Sequence, residues 1–418
     1  MHFELDMIQS AGVGALALVL GTWLTRRISL LKRFCIPSPV SGGLIFSLLT
    51  LIIYTRSGIE VTFDGTLRDV FMLAFFTTVG LQSDIRVLKR GGRRLVIMLL
   101  LLVVLIALQD AVPVAITKAM DINPLVGLAT GSISMCGGHG TAGGFASVLE
   151  KMGLTGGGTL AMAAATFGLV AGSMLGGPLA ENIIRKKIPT LSPSVSDKDI
   201  TASMTVESEE MSPHGRRRHI STNESEHQHY GKAVYTILMV MAGGTLLSRL
   251  LAMTGVTFPT YFGALILGAV VRNLVGVLSL TKRFSGIEES LDMDRIISVG
   301  NLCLSVFLGM AMISLKLWEL ESLALPLIII LVTQVVMIAL FCCFVAFPAL
   351  GTDYDAAVLV SGICGFGLGA TPNAMANMNA VCNKYHYTVE PFLIVPIVGS
   401  MFLDMINTCI ISLFMQYI

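Results

Sequence analysis

The chain has 418 residues, of which 54% are hydrophobic and only 13% charged, with a mean hydropathy of +0.78. A soluble domain carries about 25% charged residues, so the composition excludes an ordinary soluble protein and puts most of the chain in lipid. The formal net charge of +1 gives no sign of nucleic-acid binding, and no nucleic acid is expected as a partner. Cys35, Cys136, Cys303, Cys342, Cys343, Cys364, Cys382 and Cys409 lie mostly inside apolar runs, and no pair has metal-ligand spacing. They read as small core residues.

In chain order, the first apolar stretch covers 7–24. No positive segment or small-residue cleavage pattern marks it as a leader, so it reads as a span. Further stretches of about 20 apolar residues cover 36–54, 67–84, 95–117, 157–184, 233–253, 258–280, 295–315, 322–349 and 389–416. That makes ten spans in an all-α integral membrane protein. Two segments are left over, about 123–150 and about 354–383. Both are apolar enough for a bilayer and too rich in glycine to cross it as good helices. Backbone inside a bilayer must satisfy its own hydrogen bonds, so a broken helix is tolerated there only where it is buried or lines a cavity. The two segments are therefore expected to be re-entrant hairpins; full spans are the competing topology.

Lys and Arg set the expected orientation. Arg26, Arg27, Lys32 and Arg33 follow the first span, Arg86, Lys89, Arg90, Arg93 and Arg94 the third, and Arg185, Lys186 and Lys187 the fifth, whereas Lys118 stands alone after the fourth. Odd spans then end in the cytoplasm and both termini lie outside. Residues 187–230, rich in Ser, Glu, Arg and His (His214, His219, His227, His229), read as a flexible cytoplasmic linker. A His-rich tract is also a possible metal binder.

The linker separates a first half, 1–186, from a second, 231–418. Pro39–Ile45 matches Pro259–Ile266, Leu73–Phe76 matches Leu304–Phe307, and Gly172-Ser173-Met174 recurs as Gly399-Ser400-Met401. Offsets run from 220 to 231, and the glycine-rich segments fall in the same register. Five spans per half is an odd number, so the second half inserts upside down. Inverted-topology repeats, with Gly/Pro-interrupted segments in matching positions, mark secondary transporters whose site lies near the bilayer midplane.

The interrupted segments supply most of the candidate site. Ser132, Ser134, Gly137, Gly138, His139, Gly140 and Thr141 come from the first, and Gly367, Gly369, Ala370, Thr371, Asn373 and Asn377 from the second. Half-helix N-termini aim partial positive charge at an anion, while unwound carbonyls and hydroxyls suit Na⁺. Pro372 suits the first turn of a returning half-helix. Asp404 is the one charged residue between Pro391 and the C-terminus, and an intramembrane carboxylate is a functional-site hypothesis by default. Asn407 lies one helical turn beyond it. Ser132, Ser134, Gly138, His139, Gly140, Thr141, Gly369, Ala370, Thr371, Asn373 and Asp404 are assigned to substrate. Gly137, Thr141, Gly367, Thr371, Asn377, Asp404 and Asn407 are assigned to a cation. Arg272 and Arg249 are candidates for a substrate carboxylate. Asp69, Asp110 and Glu181 are given little weight as residues near span ends. No nucleophile elbow or base–orienter arrangement is visible, so no enzymatic activity is expected; a passive channel is the remaining alternative.

Several motifs resemble those of the bacterial sodium/glutamate symporter family: Ile36-Pro37-Ser38-Pro39-Val40-Ser41-Gly42-Gly43, Met72–Phe76, Gly137–Thr141, Ala165–Leu169, Leu315–Leu320, Asp353–Ala357, Gly365–Pro372, and Asp404 with Asn407. The resemblance covers nearly the whole chain outside 187–230. It implies Na⁺-coupled uptake of L-glutamate across a bacterial inner membrane, with Na⁺ as the coupling ion. It also implies ten spans with two re-entrant loops, a scaffold domain that forms a homodimer, and a transport domain that moves like an elevator. Relatives that carry citrate or another carboxylate share this plan, and the substrate alternative stays open.

Overall fold

The structure is a computed structural model in which residues 2–86, 92–188, 223–279 and 291–418 are described. Most of the linker, including His214 and His219, and Lys89, Arg90, Lys282 and Arg283 lie outside the described residues. The described part is helical apart from one small sheet. Strand β1 (His2–Leu5) leads into α1 (Met7–Arg27), α2 (Ser29–Arg33) and α3 (Ser38–Ser57), and β2 (Glu60–Phe63) follows. Then come α4 (Thr66–Gln82), α5 (Gly92–Ala119), α6 (Pro124–Ala129), α7 (Gly138–Lys151) and α8 (Gly157–Lys187). The second half holds α9 (Asn223–Ala252), α10 (Phe262–Leu278), α11 (Met293–Ile313), a 3₁₀ segment (Leu317–Leu323) and α12 (Ala324–Phe341). A π turn (Cys342–Ala346) joins α12 to α13 (Phe347–Leu350). The chain ends with α14 (Tyr354–Leu368), α15 (Thr371–Lys384), α16 (Glu390–Ile397), a second π turn (Val398–Phe402) and α17 (Leu403–Tyr417).

Every apolar stretch read from the sequence carries a helix. Eight of the helical stretches among the described residues are long and apolar enough to cross a membrane. The other two, α4 and α10, are 17 residues each. The parallel pairing of β1 with β2, His2 opposite Glu60 through Leu5 opposite Phe63, had no signal in the sequence. It arises because α1 and α3 run antiparallel, which brings the start of one and the end of the other to the same edge. The linker also ends earlier than 230, since α9 starts at Asn223.

Close crossings set the packing. Without a hydrophobic driving force between helices in lipid, small residues let backbones approach. Gly21 and Gly42 face each other where α1 crosses α3: a Cβ on Gly42 would lie 2.8 Å from the Gly21 nitrogen, and one on Gly21 would lie 2.9 Å from the Gly42 nitrogen. The same kind of crossing recurs where α9 meets α10, with Gly244 against Ala264 and Gly263 against Ser248. Gly80 and Gly268 do this for α4 and α10. One buried core joins α5 and α8 to α12–α17 through Leu102, Leu105, Phe341, Val358, Phe366 and Val395. A separate core joins α4, α9 and α11 through Leu81, Ile237, Ile296 and Cys303.

Ion pairs gather at two edges. Lys316 bonds Glu60 at 2.6 Å, beside β2, and this hydrogen bond raises the Lys316 ammonium above its ordinary range. Elsewhere Arg94, in the first turn of α5, contacts Asp353, Asp355 at 3.2 Å and Glu390 at 2.6 Å. Arg86 and Arg272 share Asp84, at 2.7 and 3.1 Å.

The α1–α3 crossing yields a direct test. Gly21→Ala should cost about 1–3 kcal/mol, the range for forcing extra atoms into a packed site, read as a lower unfolding temperature in detergent. Gly12→Ala, whose new Cβ meets nothing within 4 Å, should leave that temperature unchanged or slightly raised.

Candidate functional site

Two interruptions carry the site. The first lies between α6 and α7. Residues 130–137 form a run of turns instead of helix, closed by Met135 N–H to Gly131 O at 2.9 Å and Gly137 N–H to Ser132 O at 2.9 Å. Helix α7 then starts at Gly138, whose φ of +57° is the left-handed region that favours glycine. The second is shorter. Helix α14 stops at Leu368, Gly369 leaves the helix, Ala370 is extended, and α15 starts at Thr371 with Pro372 in its first turn, where a missing N–H costs nothing. The two breaks meet: a Cβ on Gly138 would sit 2.7 Å from the Gly369 carbonyl oxygen.

A cavity of about 320 Å³ lies at this meeting point. Gly137, Gly138, His139 and Gly140 line it from one break, and Gly369, Ala370, Thr371 and Pro372 from the other. Asp404 lines it from α17, and Gln82, Asn301 and Ser400 add polar surface. Phe75, Phe76, Leu304 and Leu308 form an apolar wall. Behind that wall Tyr261 is fully buried, stacked on Phe76 with ring centroids 3.7 Å apart, and its hydroxyl lies 3.3 Å from Thr408 Oγ1. The N-termini of α7 and α15 therefore face the same cavity with partial positive charge; α7 brings most of the free N–H groups, because at α15 Pro372 has none and the Asn373 N–H bonds the Ala370 carbonyl. Among the described residues no Lys or Arg lines it.

Asp404 is joined to the first break: Thr141 Oγ1 donates to its Oδ1 at 3.5 Å. Asn407, one turn on, is fully buried and donates to the Ser132 carbonyl at 3.2 Å, while its own Oδ1 has no hydrogen-bond partner. Carboxylate, hydroxyl and an unpaired amide oxygen are the hard oxygen donors that an alkali cation takes. His139 lies 3.0 Å from Thr166 Oγ1 through Nε2. The Thr166 proton goes to the Met162 carbonyl at 2.9 Å, which makes the His139 Nε2–H the donor.

The other sequence-derived residues are engaged elsewhere. Ser134 donates to the carbonyls of Ala129 and, at 2.8 Å, Ala161. Asn373 donates to Leu169 O and Asn377 to Gly172 O, each at 2.9 Å. The Gly367 carbonyl accepts from Gln109 Nε2 at 2.6 Å, away from the cavity lining. Arg272 bonds Asp84, and Arg249 is exposed; neither reaches the cavity. Asp110 corrects the reading that placed it near a span end. Helix α5 runs from Gly92 to Ala119, so Asp110 lies well inside it, fully buried, and binds Ser132. Its place more than two turns before the helix end was the signal available. Gln82, Asn301 and Ser400 carried no such signal, being single polar residues in apolar helices.

The sodium/glutamate symporter family matches residues 3–387. A sodium/glutamate symporter of Escherichia coli is 38% identical over 416 residues, covering 99% of this chain and 98% of that protein. One from Haemophilus influenzae is 36% identical over the same shares.

The contact between the two breaks predicts unequal costs for two left-handed glycines. Gly138→Ala combines backbone strain of about 1–2 kcal/mol with a clash against Gly369, whereas Gly153, with φ +95° and nothing within 4 Å, adds strain alone. Unfolding in detergent should show Gly138→Ala as the more destabilised of the two.

Proposed function

The chain belongs to the sodium/glutamate symporter family, and from that premise we propose that it couples the inward flow of Na⁺ to uptake of L-glutamate across a bacterial inner membrane. One observation carries the reading: a single cavity faced by two half-helix N-termini and one carboxylate, with no cationic side chain among the described lining residues. L-Glutamate presents two carboxylates and one ammonium. The carboxylates go to the amides at the start of α7, Gly138 to Gly140, and to Thr371 at the second break, where the Gly369, Ala370 and Asn373 N–H groups already meet backbone carbonyls, and the ammonium or a cation goes to Asp404. A tricarboxylate would meet partial charges only, which favours the amino acid over citrate.

Na⁺ binds beside the first break, at Asp404, Thr141, Gly137 and Asn407. The unpaired Asn407 Oδ1 supports its place in this set. Thr371 faces the cavity and contributes from the second break. Gly367 and Asn377 serve the backbone instead, as their hydrogen bonds indicate. Because Asp404, Thr141 and the break lie in one contact network, Na⁺ bound there fixes the amides that meet the substrate. Each ligand then raises the other's affinity, as binding linkage requires.

The repeat with inverted halves is part of this proposal. It is supported by the same order of helices in each half and by the matching crossings Gly21–Gly42 and Gly244–Gly263. The segments 123–150 and 354–383 act as re-entrant hairpins. The core of α5, α8 and α12–α17 would move as a transport body against a dimeric scaffold built on α4, α9 and α11. The contact of Lys316 with Glu60 and that of Arg94 with Asp353, Asp355 and Glu390 each join segments that charge counting puts on one side of the membrane. This supports termini outside and the linker inside.

The test is uptake of labelled L-glutamate into proteoliposomes with and without an inward Na⁺ gradient. Saturable uptake that requires Na⁺ and is lost in Asp404→Ala at normal expression is the expected result. Na⁺-dependent citrate uptake without glutamate uptake would move the substrate, and near-normal transport by Asp404→Ala would remove that residue from the site.

A further inference from the structure

Asp110 is a fully buried carboxylate in the middle of an apolar helix. Its Oδ1 accepts from the Ser132 backbone N–H at 2.8 Å and its Oδ2 from Ser132 Oγ at 2.9 Å. Among the described residues no Lys, Arg or His pairs with it. Two hydrogen bonds do not discharge a buried anion: moving an unpaired carboxylate out of water costs several kcal/mol even after the surroundings relax. Buried charges are accordingly paired or coordinate metals.

We propose that Asp110 binds a monovalent cation, Na⁺, at a second position next to the first break and distinct from Asp404. The donors surrounding it fit. Each carboxylate oxygen keeps a free lone pair beyond its hydrogen bond. Ser132 brings its hydroxyl, and its carbonyl is held by the Asn407 amide at 3.2 Å. Gly131 packs directly against the carboxylate: a Cβ there would lie 2.7 Å from Asp110 Oδ1 and 2.7 Å from the Gln109 carbonyl. Ser132 thus touches Asp110 through its amide and hydroxyl and the Asp404–Asn407 helix through its carbonyl. A cation at Asp110 would pull on the same turn that carries Gly137 and Gly138 to the cavity.

The inference rests on the Na⁺-coupled reading, and its test is independent of the transported substrate. Asp110→Asn removes the charge and keeps both hydrogen bonds, because Oδ1 still accepts from Ser132 N–H and Nδ2 donates to Ser132 Oγ. A merely structural role survives that change. The measurement is thermal stabilisation of the purified full chain by NaCl, with choline chloride holding ionic strength constant. The expected result is that Asp110→Asn needs at least about tenfold more Na⁺ than wild type for half-maximal stabilisation. A wild-type Na⁺ response in Asp110→Asn overturns the proposal, as does a wild type that Na⁺ does not stabilise. Should Asp110→Asn fail to fold, Ser132→Ala carries the test: a rise of about threefold is expected, and an unchanged curve overturns it. Absent glutamate uptake with Na⁺ stabilisation intact would sink the substrate assignment alone.

Discussion

The governing constraint is that a peptide group in hydrocarbon needs a hydrogen-bond partner inside the protein. A continuous helix meets it without help, and two interrupted helices do not. The fold is arranged around making good that deficit. Side chains on neighbouring helices reach the backbone at the breaks, Gln109 to Gly367 and Asn407 to Ser132, and side chains of the broken segments anchor on the continuous α8, Asn373 to Leu169, Asn377 to Gly172 and Ser134 to Ala161. Residues 109 and 110 are adjacent on α5, yet one serves the second break and the other the first. A single point on one helix thereby holds both interruptions at a common depth.

With the backbone supported by side chains, the tips themselves can stay bare. Gly138 and Gly369 approach too closely for a Cβ between them, and the first turns of α7 and α15 are left to face a cavity. The polar residues of the two segments thus divide into two groups. Asp404, Thr141 and Thr371 stand at or next to the cavity; Ser134, Asn373 and Asn377 stand behind it and keep the broken chain in shape.

This division was invisible in the sequence. The spans were legible because apolar runs of helical length have few other outcomes in a chain with 13% charge. The two breaks were legible from the glycines of Gly137-Gly138-His139-Gly140 and Gly365–Gly369, although α14 stays helical through Gly365 and Gly367 and the chain breaks only at Gly369 and Ala370. Serine and asparagine in those segments offer the same donors and acceptors whether they meet a ligand or a carbonyl on α8, and only the packing separates the two. Asp110 was misplaced although the apolar stretch to 117 already put it well inside α5; a lone carboxylate shows no partner in sequence, and Ser132 is brought to it only by the fold. The β1–β2 pair depends on where two distant helix ends meet, and short strands of four residues leave no periodic trace.

The node at Arg94 has its own geometry. Three acidic residues from the N-terminal ends of α14 and α16 converge on one guanidinium, Asp353 as the cap of α14, Asp355 in its first turn and Glu390 in the first turn of α16. The helix dipoles share in holding that negative charge, so one cation suffices for three anions. What the site demands is reach in several directions at once. A guanidinium is a flat fork with five donors, and an ammonium is a single compact point. Lysine at this position would supply the charge and leave at least one helix end untied.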